Sequence, residues 1–155
     1  MLKLNDIKIS KDFRLYEFQS PDTNQVLLDP ELIIRLQGLR DLLEKPIIID
    51  SGYRTPDHNK AVDGKQYSYH LLGKAADIRV ENIKLDDLFQ GCVYIGFRGI
   101  IVYQEKKFIH VDVRSGSFIT APPFWKTTAI GKNMFKRLEG KSRNIKILTE
   151  KSLLV

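Results

Sequence analysis

The sequence lacks several features that would place it in a special class of protein. It has 155 residues but a single cysteine, Cys92, so a disulfide within the chain is excluded. Cys92 lies in an apolar segment, which predicts a buried and inert thiol. No apolar run approaches the roughly 18 residues that a membrane-spanning helix needs. The first residues also lack the apolar core of a secretory signal, so we expect synthesis in the cytoplasm without a Sec-type signal.

Negative charge is scarce in the last part of the chain. Residues 121–155 contain eight basic side chains and two acidic ones, while the net charge of the whole chain is +6. The basic tail therefore carries the whole excess, which favours polyanions through non-specific attraction. A solvated basic surface without a partner is an equal alternative. Nucleic acid is disfavoured, because the tail has too few aromatic residues, too irregularly placed, for a stacking surface; they are Phe124, Trp125 and Phe135.

The pattern of apolar residues predicts an α+β fold. Asp29, Pro30 and Glu31 form a helix start, and apolar residues then follow at helical spacing until Pro46 ends the helix. A second, short helix is predicted over 85–89. Strands are predicted over 46–50, 75–80, 99–103 and 108–113, the last two forming a hairpin. We expect a small antiparallel sheet flanked by helices in a domain over 1–120, followed by a basic extension over 121–155.

Two of the three histidines stand near carboxylates. His70 precedes Asp77 by seven residues, across a glycine, Gly73, that lets the chain turn. His110 lies within a predicted strand, and Asp112 shares its face because side chains alternate along a strand. Two histidines and one carboxylate, with a fourth position left to water, form a common catalytic zinc site. Spacing alone leaves open that these histidines are structural.

Three separated strings carry a resemblance to a known family. They are SGYRTP at 51–56, SYHLLGKAAD at 68–77 and HVD at 110–112. Together they resemble the zinc D-Ala-D-Ala carboxypeptidase family, metallopeptidase family fifteen, which also contains peptidoglycan endopeptidases and phage endolysins. The resemblance is closest to the short, single-domain branch and covers about residues 10–115. It implies the fold shared by DD-peptidases and the Hedgehog signalling domain.

The resemblance also implies roles for particular residues. His70, Asp77 and His110 occupy the positions of the zinc ligands. Arg54 matches the arginine thought to grip a substrate carboxylate, a task that suits its fork of donors; the alternative is a surface arginine that orders its own loop. Ser68 matches the serine two residues before the first ligand, where it either binds substrate or holds the loop.

The general base is the point at which the sequence departs from the family. Many members have a glutamate or aspartate three residues before the last histidine ligand, and here that position is Lys107. Glu105 and Asp112 are the two carboxylates that can replace it. We favour Glu105 as the base and a supporting role for Asp112, with Arg114 neutralising its charge. A base must lie within about 3 Å of the water that it deprotonates.

Taken together, these observations predict a zinc-dependent peptidase that acts on peptidoglycan stem peptides, as a carboxypeptidase or an endopeptidase. The substituted acid at position 107 favours one alternative, a zinc-stabilised module of the same fold that binds the cell wall or forms part of a virion. Anionic wall polymers are the polyanions that the basic tail would meet in either role. A protein made without a Sec-type signal would reach the wall by a phage or lysis route.

Overall fold

The computed structural model describes residues 3–122 and the backbone of residues 145–147. The helices are α1 (Pro30–Leu43), α2 (Pro56–Ala61) and α3 (Leu85–Ile95), and 3₁₀ turns span Leu15–Phe18 and Tyr69–Leu72. The strands are β1 (Ile48–Ser51), β2 (Ala75–Arg79), β3 (Gly99–Tyr103), β4 (Phe108–Asp112), β5 (Phe118–Ala121) and β6 (Ile145–Ile147). The α+β fold class expected from the sequence is confirmed.

The strands form one sheet with the order β1-β2-β4-β3-β5-β6. The first four in this order pair antiparallel, with β3 and β4 forming the predicted hairpin. β5 and β6 add to the β3 edge in parallel, which the sequence did not predict. Of the extension predicted over 121–155, the structure describes only 121–122 and the backbone of β6, so its separation as a unit stays a prediction.

The start of α1 follows the predicted signal. The Asp29 side chain accepts a hydrogen bond from the Glu31 backbone at 2.9 Å, and Pro30 occupies the first helical position, where no backbone donor is needed. The helix ends at Leu43, before Pro46. No helix among the described residues has both the length and the hydropathy that crossing a bilayer requires.

The two faces of the sheet have different roles because side chains alternate along each strand. One face is apolar and packs against α3, which packs in turn against α1. Its strand residues are fully or almost fully buried: Ala76, Ile78, Ile100, Val102, Ile109 and Val111. The opposite face carries Asp77 and His110, directly paired in the register of β2 and β4. The core thus fixes the strands that present these two polar side chains.

Two helices differ from the sequence expectation. Residues 56–61 form α2 within the segment predicted to be a loop, although Thr55 caps this helix and Pro56 begins it. The second predicted helix continues beyond Phe89 to Ile95. Cys92 lies in that extension, fully buried, and burial raises the pKa of its thiol. The buried thiol expected from the sequence is confirmed.

Candidate metal centre

Three segments bring the predicted metal ligands together. Asp77 lies near the middle of β2, directly opposite His110 of β4. His70 lies in the 3₁₀ turn that precedes β2, and Gly73 closes this turn with a φ of +67°. A side chain at Gly73 would also collide with the Leu27 carbonyl, since a Cβ there would lie 2.4 Å from its oxygen. The close turn therefore requires glycine.

The ligand atoms of the three side chains converge on one point. Asp77 Oδ1 lies 3.2 Å from His70 Nε2 and 3.1 Å from His110 Nδ1. The two imidazole rings meet edge to face, with centroids 5.1 Å apart. Burial opposes ionisation of Asp77, but hydrogen bonds with His110 and His70 outweigh it and hold the pKa of the carboxyl well below its usual range.

Each histidine uses its other ring nitrogen for a bond that fixes the orientation of its ring. His70 Nδ1 lies 2.7 Å from the Gly52 carbonyl oxygen. A carbonyl can only accept, so Nδ1 carries a hydrogen, and Nε2 is the ring nitrogen that faces Asp77. Gly52 packs so tightly on Phe18 that a Cβ would lie 2.7 Å from the Phe18 Cα atom.

His110 is oriented in the same manner by a carboxylate. Its Nε2 lies 2.8 Å from Asp112 Oδ2, which leaves Nδ1 to face Asp77. Asp112 is fully buried and also accepts two hydrogen bonds from the Arg114 guanidinium. Burial opposes its ionisation, but the bonds from Arg114 and His110 prevail and lower its pKa to about 2. Asp112 therefore lies behind His110 as an ionised acceptor.

Arg54 supports the third ligand. Its Nη2 donates to Asp77 Oδ2 at 3.2 Å, on the side of the carboxylate away from the histidines. Its Nε donates to Ser51 Oγ at 3.1 Å and its Nη1 to Asn59 Oδ1 at 3.3 Å. Each nitrogen thus has a protein acceptor, while the side chain, 15% exposed, still borders the cleft.

The group formed by His70, Asp77 and His110, called the metal cluster below, opens into a cleft of about 510 Å³. Ser68 lines it, and its hydroxyl accepts a hydrogen bond from the His70 backbone at 3.2 Å, so it holds the ligand-bearing turn. The exposed Glu105 of the hairpin turn does not line the cleft. Among the described residues, the cleft's carboxylates are Asp63 and Asp77.

The position that commonly carries the family's acid does not line this cleft. Lys107 borders a separate pocket together with Arg79 and Gln104. It has a φ of +56°, and the exposed turn that contains it joins β3 to β4. His58, the remaining histidine, lies in α2 and does not belong to the metal-binding group found in the described residues.

The geometry of the cluster can be compared with that of bound zinc. Zinc lies about 2.0–2.1 Å from nitrogen and oxygen ligands in tetrahedral sites, which places two ligand atoms roughly 3.3 Å apart. The separations of 3.2 and 3.1 Å from Asp77 to His70 and His110 agree with this spacing. The remaining nitrogen of each histidine has an acceptor, as metal-binding histidines usually do. The residues present therefore fit a zinc ion.

Several contributors to the site were not identified from the sequence. Gly52 acts through its backbone carbonyl, which every residue type possesses. Asn59, which is 4% exposed, holds Arg54 and lies in the unpredicted helix α2. A signal for that helix was present, since Thr55 followed by Pro56 repeats the start seen at α1. Asp63 follows the same helix and joins the cleft through it.

Two histidines and a carboxylate, facing an open cleft and backed by acceptors, form the donor set of a catalytic metal site. The chain belongs to the Peptidase M15 family, whose sequence profile matches residues 7–112. The family resemblance noted from the three strings is thereby confirmed.

Curated relatives support the same assignment. The chain is 29% identical over 109 residues to the peptidoglycan L,D-endopeptidase MepK of Escherichia coli strain K12. The MepK proteins of Escherichia coli O157:H7 and Shigella flexneri match equally well. Each match covers 66% of this chain and 56% of the relative. The chain thus spans little more than half the length of these relatives.

Proposed function

We propose that this protein is a zinc-dependent peptidase that hydrolyses peptide bonds of peptidoglycan. The observation that supports it most strongly is the convergence of His70 Nε2, Asp77 Oδ1 and His110 Nδ1 at the base of a cleft. When bound there, zinc would polarise a scissile carbonyl and lower the pKa of a water to about 7. Membership of the Peptidase M15 family and likeness to a peptidoglycan endopeptidase support this substrate class.

An endopeptidase is favoured over a carboxypeptidase. A carboxypeptidase of the expected type would use Arg54 to hold the terminal carboxylate of its substrate. In this structure each of the three nitrogens of Arg54 already donates one hydrogen to a protein acceptor, so the guanidinium is not free to turn its whole fork toward a substrate carboxylate. The named relatives are endopeptidases. We therefore propose cleavage within stem peptides or cross-bridges, with Arg54 holding Asp77 and its exposed edge meeting the substrate.

The cleft offers cations for an acidic peptide. Lys65 and Lys106 line it, and neither makes an ion pair within the described part of the chain. Ser68 lines the same cleft and provides a hydroxyl. Peptidoglycan stem peptides carry free carboxylates, so these groups would position the backbone near the metal ligands.

For the general base we retain Glu105 as the proposal, with Asp63 as its competitor. Glu105 lies in an exposed turn, from which it would have to fold over the cleft to reach the zinc water. Asp63 already lines the cleft, in a segment where its own φ is +54°. Asp112 is committed to His110 and Arg114. A positioned base contributes about 10²- to 10⁴-fold to the rate.

A binding module of the same fold is the second candidate. The family position that commonly carries an acid is Lys107 here, and this lysine lines a different pocket. The usual acid is therefore missing from the metal centre, which favours the binding module. Such a module would keep zinc for stability and hold wall polymers without cutting them. In either role we propose that the basic residues 121–155 favour anionic wall polymers, and that a phage or lysis route brings the protein to the wall.

Digestion of purified peptidoglycan tests the two candidates. Zinc-loaded protein is incubated with sacculi, and released fragments are identified by mass spectrometry. We expect cleaved stem peptides or cross-links from the natural chain and from His58→Ala, whose side chain lies outside the metal cluster, but none from His70→Ala. Sacculus binding without release, by protein confirmed to hold one zinc ion, would refute the peptidase and leave the binding module.

The same assay separates the two candidate bases. Glu105→Gln and Asp63→Asn each remove one carboxylate while keeping side-chain size. A fall in kcat of about 10²-fold or more, with zinc content unchanged, identifies the base. An unchanged rate in Glu105→Gln would overturn our preference for Glu105.

A further inference from the structure

We propose that Arg114 is a positioning residue of the metal centre, which fixes Asp112 so that this carboxylate holds His110 with Nδ1 turned toward Asp77. The inference rests on the proposed zinc site. It assigns to Arg114 a role beyond neutralising charge, because the contacts of Arg114 reach both segments that carry the histidine ligands.

The first observation is the fixed geometry between Arg114 and Asp112. The guanidinium Nε donates to Oδ1 at 2.8 Å and Nη2 donates to Oδ2 at 2.5 Å. The backbone N–H of Arg114 adds a third bond, to Oδ1 at 3.2 Å. A bidentate pair of this kind sets the plane of the carboxylate as well as its position. Oδ2 is therefore held where it meets His110 Nε2 at 2.8 Å.

The second observation is the absence of a side chain beneath the carboxylate. Gly99 of β3 is paired with Asp112 of β4, and the Asp112 carboxylate lies across it. A Cβ at Gly99 would lie 2.1 Å from both carboxylate oxygens, which real contacts never allow. Any other residue at position 99 would displace the carboxylate. The absence of a side chain at Gly99 thus leaves room for the Asp112 carboxylate between Gly99 and His110.

The third observation ties Arg114 to the other histidine. The guanidinium carbon lies 4.5 Å from the centre of the Tyr69 ring and 5.5 Å from that of Phe118. Tyr69 immediately precedes His70 in the 3₁₀ turn. A cation over an aromatic face is attracted to it. Arg114 therefore links the turn that carries His70 to the strand that carries His110.

These contacts predict what the loss of Arg114 would do. Asp112 is fully buried, and without the guanidinium it would keep only the His110 bond and one backbone bond. Its carboxylate would be free to turn, and His110 would no longer be held in one tautomer. Losing an outer partner of this kind typically weakens metal affinity about 10- to 100-fold.

The test measures zinc affinity and the His110 tautomer in Arg114→Met, Arg114→Lys and Gly99→Ala. Zinc dissociation constants come from competition with a chromophoric chelator, and ¹⁵N NMR of the imidazoles reports which nitrogen carries hydrogen. We expect Arg114→Met and Gly99→Ala to bind zinc about 10- to 100-fold more weakly and to populate a second His110 tautomer. Arg114→Lys should recover part of the affinity, since it keeps the charge without the fork.

The control is Arg79→Met, which removes a bidentate arginine–aspartate pair of the same sheet. Arg79 pairs with Asp50 at 2.7 and 3.0 Å, and neither residue contacts the metal cluster. Equal zinc affinity in Arg114→Met and Arg79→Met, with one His110 tautomer in each, would overturn the inference. The orientation of the His110 ring in metal-free protein, also measured by NMR, tests Arg114 on its own, whereas failure of the natural chain to bind zinc would refute the proposed zinc site instead.

Discussion

Replacing Arg54 by methionine removes a cation from Asp77 without leaving a large cavity. In the natural chain the Arg54 and Asp77 side chains are only 15% and 11% exposed, with Nη2 and Oδ2 3.2 Å apart. Hydrogen bonds to charged groups contribute about 1.5–3 kcal/mol, and a buried pair that loses one partner costs about 3–5 kcal/mol. Asp77 keeps its bonds to His70 and His110, so we expect a loss of about 2–3 kcal/mol in metal-free protein.

With zinc bound, the loss of unfolding free energy in Arg54→Met should be smaller, about 1 kcal/mol, because the ion and the guanidinium offset the same carboxylate charge. Zinc should therefore stabilise Arg54→Met more than the natural chain by about 1.4 kcal/mol, which is a tenfold tighter dissociation constant. Turnover should fall nevertheless, because the Arg54 edge that borders the cleft is lost.

Urea unfolding with a chelator present, and again with saturating zinc, measures both losses, and chelator competition measures the affinity. Arg79→Met again serves as the matched control. The pair between Arg79 and Asp50 is more exposed, so the loss of Arg79 should lower the free energy of unfolding by less than about 1 kcal/mol, with or without zinc. Equal losses of unfolding free energy in Arg54→Met with and without zinc would refute this reasoning. They would show that the bound ion does not offset the loss of the guanidinium charge at Asp77.

Two further predictions concern stability. Hydrogen bonds from Arg98 lower the pKa of Glu31 from 4.5 to about 2, so this pair stabilises the fold above pH 4.5 and ceases to do so as the pH falls through 2. Because Glu31 is partly exposed, we expect the pair to contribute about 1 kcal/mol to the free energy of unfolding. Urea unfolding of the natural chain from pH 5 to 2 should show the loss of this contribution. The same loss in Glu31→Gln would contradict the assignment. Gly73→Ala combines a positive φ with a clash on Leu27 and should cost at least about 2 kcal/mol in urea unfolding, whereas Gly116→Ala, with a φ of +80° and open space around it, should cost about 1 kcal/mol; equal costs would exclude the clash.

The elements that the sequence predicted are those whose signals are local. The start of α1 follows from the cap and proline signals of Asp29 and Pro30, and the β3–β4 hairpin follows from two short apolar segments separated by four polar residues. The parallel pairing of β5 with β3 has no such signal, since it depends on contacts between segments distant in the chain. The underestimated length of α3 has a related cause. Gly91 interrupts its pattern, yet a Cβ there would lie 3.0 Å from Leu39, so packing against α1 explains the glycine.

The three candidate metal ligands and the support of His110 by Asp112 were expected from the sequence, whereas the support of His70 was not. Only a few residue types bind zinc, so a histidine or aspartate at a ligand position is visible in the sequence. The orientation of a ligand can come from any acceptor, and at His70 it comes from a backbone carbonyl. The residue type at position 52 reflects the close packing on Phe18, where only glycine fits. A residue's type can thus reflect one constraint while its backbone serves another, and only the structure shows that Gly52 orients His70.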